Sequence, residues 1–281
     1  MKTAGDWLRG LTARFSAAGI DTARLDARLL LAEVLAVEPL RLVTHPEMVL
    51  TAQQQTAIEA MAVRRQHREP ISHILGRRGF WTLDLRVSAD TLDPRPDTET
   101  LVQGVLERIT DRLAPLRILD LGTGSGCILL ALLTELPAAT GLGLDQSPAA
   151  LAVAADNARR NHLSERAGFG LGDWGQGLRE TFDVIVSNPP YIPDGEIASL
   201  EPEVARFEPL SALAGGPDGL DCYRRIIPQM AVLLRSGGIA GFEFGAGQAD
   251  DVAAMMSAAG FVATEKMVDL GGIERCVFAT R

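Results

Sequence analysis

Apolar positions in the first 75 residues recur at helical spacing. Trp7, Leu8, Leu11 and Phe15 share one face, and Gly19 is a natural stop. Asp21 is placed to cap a second helix, with Leu25, Leu29, Leu30, Val34 and Leu35 on one side. Pro39 and Pro46 punctuate a short piece. Thr51 then opens a helix that runs to about His67 and ends before Pro70. The pattern changes near Gly79. From Trp81 to Val87 apolar and polar residues alternate, which predicts a half-buried strand. The prolines of Asp93-Pro94-Arg95-Pro96-Asp97 bar a helix interior, and a helix is expected from about Thr98 to Asp111.

From Leu116 onward, short apolar strands alternate with helices. Strands are predicted over 117–121, 140–144, 182–187, 238–244 and 274–279, with a strand-like stretch at 168–171. Helices are predicted over 127–136, 149–160 and 222–234. Such alternation specifies an α/β fold, a parallel-rich sheet with helices on both faces.

Four segments carry candidate chemistry. Asp120-Leu121-Gly122-Thr123-Gly124-Ser125-Gly126 leaves a strand and enters a helix, and its glycines let the backbone turn sharply and approach a ligand. The spacing is neither that of the dinucleotide fingerprint nor, lacking a following Lys, that of a phosphate-binding loop. Asp145 ends the next strand, 19 residues after Gly126. It is placed either to accept hydrogen bonds from ribose hydroxyls or to cap the helix after Pro148. In Gly172-Asp173-Trp174, the indole is either a stacking partner for a purine or a buried structural side chain. The fourth segment, Ser187-Asn188-Pro189-Pro190-Tyr191, follows an apolar strand. Its prolines stiffen the turn and remove two N–H donors, leaving as acceptors the Asn188 side-chain oxygen and the Pro189 carbonyl. With the flat face of Tyr191, this forms a socket for a planar NH₂ group.

Asn188-Pro189-Pro190-Tyr191 resembles the signature of class I methyltransferases that act on exocyclic or amide nitrogen. The segment from Leu92 to Glu99 resembles the Pro-Arg-Pro-Asp/Glu-Thr-Glu segment of the PrmC/HemK family, which methylates the glutamine of the Gly-Gly-Gln motif in release factors. Phe242-Glu243-Phe244-Gly245-Ala246-Gly247-Gln248 is similar to that family's Glu-Ile-Gly-x-x-Gln, and residues 76–81 match the start of its hairpin. One departure is Asp93, where an apolar residue is usual.

The resemblance spans essentially the whole chain. It implies a Rossmann-like class I methyltransferase with a seven-stranded, mostly parallel sheet flanked by helices, a small N-terminal helical domain and a connecting β-hairpin. The corresponding segments are 1–75 for substrate docking, 76–97 for the hairpin and Pro-rich linker, and 98–281 for catalysis. It also implies S-adenosyl-L-methionine as methyl donor, held by Gly122, Thr123, Gly124, Ser125, Gly126, Asp145, Trp174 and Asn188. Asn188, Pro189, Pro190 and Tyr191 would bind the glutamine, with Asn188, Pro189 and Tyr191 catalytic. The implied partners are class I peptide chain release factors.

Composition narrows the field. The net charge of −9 disfavours a nucleic-acid partner, and with it the runner-up reading, an adenine-N6 methyltransferase acting on DNA or RNA. The charge is uneven: residues 1–80 hold 11 Lys and Arg against 8 Asp and Glu. Arg64, Arg65, Arg68, Arg77 and Arg78 form a basic cluster, either a solvated face or a surface that steers an acidic partner. Three scattered cysteines and four scattered histidines give no disulfide or metal pattern. With no membrane span or signal peptide legible, the cytoplasm is the expected compartment.

Overall fold

A computed structural model describes residues 2–281, apart from the Ala263 side chain. Met1, first residue of the expected helical domain, lies outside it. The chain divides into two compact units. One comprises Met1–Gly76 with Glu201–Phe207, the other Arg77–Leu200 with Glu208–Arg281.

The first unit is helical: α1 (Ala4–Ala17), α2 (Ala23–Leu35), α3 (Arg41–Thr44), α4 (Ala52–Gln66) and α5 (Ile71–Leu75). Thr3 with Asp6, and Thr51 with Gln54, form reciprocal capping boxes that start α1 and α4. The expected cap at Asp21 is not made. α2 begins at Ala23, and the Thr22 hydroxyl donates instead to Asp26 Oδ2 at 2.9 Å. Phe15, Leu30, Leu31 and Ile58 are fully buried in a core drawn from this unit alone.

Asp26 meets a buried guanidinium. Arg65 Nε donates to Asp26 Oδ2 at 2.7 Å, and Arg65 Nη1 donates to Glu203 Oε1 at 2.9 Å and to the Glu69 carbonyl at 3.1 Å. Arg68 lies 2.6 Å from Glu203, and Arg64 lies 2.6 Å from Glu69. Three arginines of the basic cluster, read as either a solvated face or a steering surface, are therefore used internally. The cation that looked free along the sequence is neutralised by acids up to 138 residues away.

The second unit opens with a hairpin, β1 (Arg77–Phe80) and β2 (Leu83–Arg86), and continues with α6 (Glu99–Arg108). Strand–helix alternation follows: β3 (Arg117–Leu121), α7 (Cys127–Glu135), β4 (Thr140–Asp145), α8 (Pro148–Arg160), β5 (Ala167–Leu171) and β6 (Phe182–Ser187). The short helix α9 (Pro202–Phe207) belongs to the first unit. Then come α10 (Asp221–Leu233), β7 (Leu234–Glu243), α11 (Ala249–Ala258), β8 (Val262–Val268) and β9 (Glu274–Thr280). The seven strands from β3 on form one sheet in the order β5-β4-β3-β6-β7-β9-β8, parallel except for β9, which runs antiparallel to both neighbours.

Apolar side chains cover both faces of this sheet. Leu129, Leu130 and Leu133 of α7 fall in one buried cluster, and Tyr223, Ile226 and Met230 of α10 in another. Strand order reverses between β3 and β6, so the chain leaves their carboxyl ends toward different neighbours and opens a crevice there. The glycine loop follows β3 and Asn188 follows β6, which puts both motifs at that crevice.

Candidate active site

The glycine loop is held from three sides. The N–H groups of Gly122 and Thr123 both donate to the Leu144 carbonyl at 2.9 Å, and Thr123 Oγ1 donates to buried Asp120 at 2.7 Å. Asn157 Nδ2 donates to the Ser125 carbonyl at 2.9 Å. Gly122, at φ +75°, needs its missing side chain twice. The left-handed backbone favours glycine, and a Cβ there would sit 3.0 Å from Trp174 Cζ3. Trp174 is itself left-handed at φ 55°, a strained conformation for a bulky residue that persists where the surroundings fix it. Its ring is thereby laid on the loop.

Asp145 is not the cap of α8. Ser147 takes that role, accepting from the Ala150 N–H at 3.2 Å. The Asp145 carboxylate instead accepts from the N–H of Gly124 and from that of Ser147, each at 2.9 Å. One acid thus locks the loop after β3 to the loop after β4.

These groups border a cavity of about 900 Å³, a volume that includes its open side. Gly122, Thr123, Gly124, Ser125, Asp145, Trp174, Asn188 and Pro190 line it. Gly126, Pro189 and Tyr191 are not in the lining. Gly126 sits at the start of α7, and Pro189 is buried. Tyr191 packs beside Gly245, where a Cβ would lie 3.0 Å from its Cδ2, and its carbonyl accepts from Gln248 Nε2 at 2.9 Å.

Arg95 and Thr98, both from the Pro-Arg-Pro-Asp-Thr-Glu segment, also line the cavity. Their motif is visible in the sequence, but their place against the glycine loop is not. Arg95 donates to buried Glu208 at 2.6 Å. Burial pushes the Glu208 carboxyl up to about 7, with Arg95 opposing and Asp93 adding to the rise. Asp93, the departure from the family pattern, is buried with Arg78 at 3.9 Å.

Thr98 touches Asn188. Asn188 Nδ2 donates to Thr98 Oγ1 at 3.3 Å, which leaves Oδ1 as the amide atom that can receive a donor. Glu243, at the end of β7, is buried at 1% exposure, and its Oε2 has no hydrogen-bond partner. Burial raises its carboxyl to about 7 against the lowering effects of Thr98 and Arg275.

Two family models match the chain, "PrmC N-terminal domain" over residues 6–76 and "Methyltransferase domain" over residues 114–258. A Rhodospirillum rubrum protein named release factor glutamine methyltransferase is 52% identical over 271 residues, covering 95% of this chain and 82% of its own. A Cereibacter sphaeroides protein of the same name is 45% identical over 276 residues, covering 98% of each chain. The chain belongs to the release factor glutamine methyltransferase family. Among solved structures, a methyltransferase from Pyrococcus furiosus superposes with a TM-score of 0.53 at 14% identity, over 82% of this chain and 98% of its own, a likeness of fold alone.

The residues present fit the donor of such an enzyme, S-adenosylmethionine. The Gly122 cradle leaves room where a side chain would meet Trp174. Each oxygen of Asp145 keeps a lone pair for a hydroxyl after accepting one N–H. Asp90, Asp145 and Asp173 line the cavity with Arg95 as its one cation; Arg225 pairs with Asp173 and Glu208 with Arg95, which leaves Asp90 and Asp145 to meet a cationic ligand. Among the described residues no cluster of metal-ligating side chains forms, and no helix is long and apolar enough to cross a membrane.

Proposed function

We propose that this chain transfers a methyl group from S-adenosylmethionine to the side-chain amide nitrogen, N5, of the glutamine in the Gly-Gly-Gln motif of class I peptide chain release factors. The observation that carries this reading is the Asn188 amide. Its nitrogen is engaged by Thr98 beside the cavity that the glycine loop and Asp145 line. When bound, S-adenosylmethionine supplies an electrophilic methyl on a sulfonium that already carries positive charge, so no base has to act before transfer.

The protein has to hold a poor nucleophile in line. Asn188 Oδ1 accepts one proton of the substrate NH₂, and the Pro189 carbonyl accepts the other. Together they fix the nitrogen's direction and stabilise positive charge that grows on it. Pro189 and Pro190 contribute no N–H, so the turn offers this amide only acceptors. Tyr191 presents a flat face to the flat amide. Asp145 holds the ribose hydroxyls, and Trp174 stacks on the adenine.

Residues 1–75 supply the second contact surface that a specific protein substrate needs, because one glutamine side chain gives little binding energy. A substrate from translation places the enzyme in the cytoplasm. An adenine amino group would suit the same socket, but the overall charge of −9 and the glutamine named for its relatives favour the protein substrate. Mass spectrometry of a release factor incubated with enzyme and S-adenosylmethionine is expected to find one added methyl on the motif glutamine. An unmodified glutamine would overturn the reading.

A further inference from the structure

Strand register brings a buried acid to the acceptor socket. β6 and β7 are parallel neighbours, with Ser187 opposite Phe242. Asn188 directly follows β6, and Glu243 is the next and last residue of β7. Thr98 arrives from the short helical turn Pro96–Thr98, 90 residues from Asn188, and its Oγ1 accepts from Asn188 Nδ2. A hydroxyl that accepts one bond still has one proton to donate. The buried Glu243 carboxyl, whose Oε2 has no hydrogen-bond partner, is the open acceptor beside them, and Thr98 and Asn188 each favour its charged form.

We infer that Glu243 is a positioning residue that sets the polarity of an Asn188–Thr98–Glu243 hydrogen-bond relay, so that Asn188 presents its oxygen to the substrate amide. This rests on the methyl-transfer reading above. An ionised Glu243 can only accept. Thr98 must then donate to it, the Thr98 lone pairs take Asn188 Nδ2, and Oδ1 is left for the substrate NH₂. A protonated Glu243 can donate instead. The relay then reverses, Thr98 donates to Asn188 Oδ1, and the turned amide meets the substrate NH₂ donor to donor.

Other groups around Glu243 do not override it. Arg275 on β9 lowers its pKa and Asp97 raises it, and these two lie 3.7 Å apart. Tyr191, Tyr223, Cys276 and Cys127 surround it with phenols and thiols that burial pushes further up, so they remain neutral where Glu243 titrates. Burial of Glu243 itself places its midpoint at about 7. Proton loss above that value therefore switches the socket on.

The test is kcat/KM on intact release factor across the pH range for wild type, Glu243→Gln and Thr98→Val, with S-adenosylmethionine affinity measured alongside. Wild type is expected to show an acid limb with its midpoint near 7, falling about tenfold per pH unit below it. Glu243→Gln carries a donor and an acceptor whatever the pH. It is expected to lose the limb and to fall about three- to thirtyfold below the wild-type plateau. Thr98→Val breaks the relay at its centre with little change of shape, and is expected to lose the limb as well. Donor affinity should stay within about twofold for both variants, since the relay faces the acceptor. A Glu243→Gln or Thr98→Val enzyme that keeps the limb and the wild-type rate would overturn the inference while leaving the methyl-transfer reading intact. A wild-type enzyme that methylates no glutamine would remove both.

Discussion

Asp145 locks two loops and has lone pairs left for the ribose task proposed for it. Its oxygens each accept one backbone N–H, and an ionised carboxylate offers about four acceptor positions. Asp145→Ala is expected to weaken S-adenosylmethionine binding by about 1–3 kcal/mol, measured by calorimetry. Unchanged affinity would mean that the ribose is held elsewhere. If its amide serves the acceptor as proposed, Asn188→Ala is expected to abolish transfer with donor affinity nearly intact.

Glu243 carries a stability consequence of known sign. Its folded pKa, about 7, lies above its ordinary value of 4.5. Stability is therefore fully present below the ordinary value and is lost as pH rises through about 7. Glu243→Gln is expected to melt at a higher temperature than wild type at pH 8, with the gap closing toward pH 5. A gap independent of pH would mean that the carboxyl is not the cause. The glycine loop, Asp145 and Asn188 are legible in sequence because each sits beside its own motif. Thr98 and Glu243 are not legible as site residues, because strand register and a turn 90 residues away assemble them.

At the scale of elements, packing overrides propensity at Gly104. It lies inside α6, where Ala is favoured by about 1 kcal/mol. A Cβ there would fall 2.1 Å from Phe278 Cζ, within a fully packed layer against β9. Gly104→Ala is expected to destabilise by about 1–3 kcal/mol in denaturant unfolding, the overpacking cost exceeding the helical gain. A stabilised variant would show that Phe278 moves freely. The same override explains which elements the sequence pattern reveals. The run over 182–187, apolar apart from Asp183 and the terminal Ser187, reads directly as β6, since a strand buried on both faces is largely hydrophobic. β8 escapes the pattern: it is an edge strand, with Glu265 and Lys266 adjacent in its middle. Trp81, where the expected strand begins, instead turns the hairpin at φ 55°.

For the whole molecule, the separation of the cores decides what a truncation would do. The buried cluster of the helical unit runs from Ala4 to Ile74, and the two sheet clusters begin at Phe80 and Leu119, with no shared member. Deleting residues 1–75 therefore removes one complete core and leaves the other two whole. It strips Glu203 of Arg65 and Arg68, but every residue lining the cavity lies at 90 or beyond. Docking by this segment is expected to rest on surface shape and apolar contact more than on steering by charge, because Arg64 and Arg65 are already paired within it and Arg68 is paired with Glu203. The truncated enzyme should bind S-adenosylmethionine with nearly full affinity. It should methylate a short Gly-Gly-Gln peptide about as well as the full chain, and should lose most of its kcat/KM on intact release factor through a raised KM. Equal losses on peptide and protein, with donor affinity retained, would assign residues 1–75 to supporting the active site instead, and the docking role would fall.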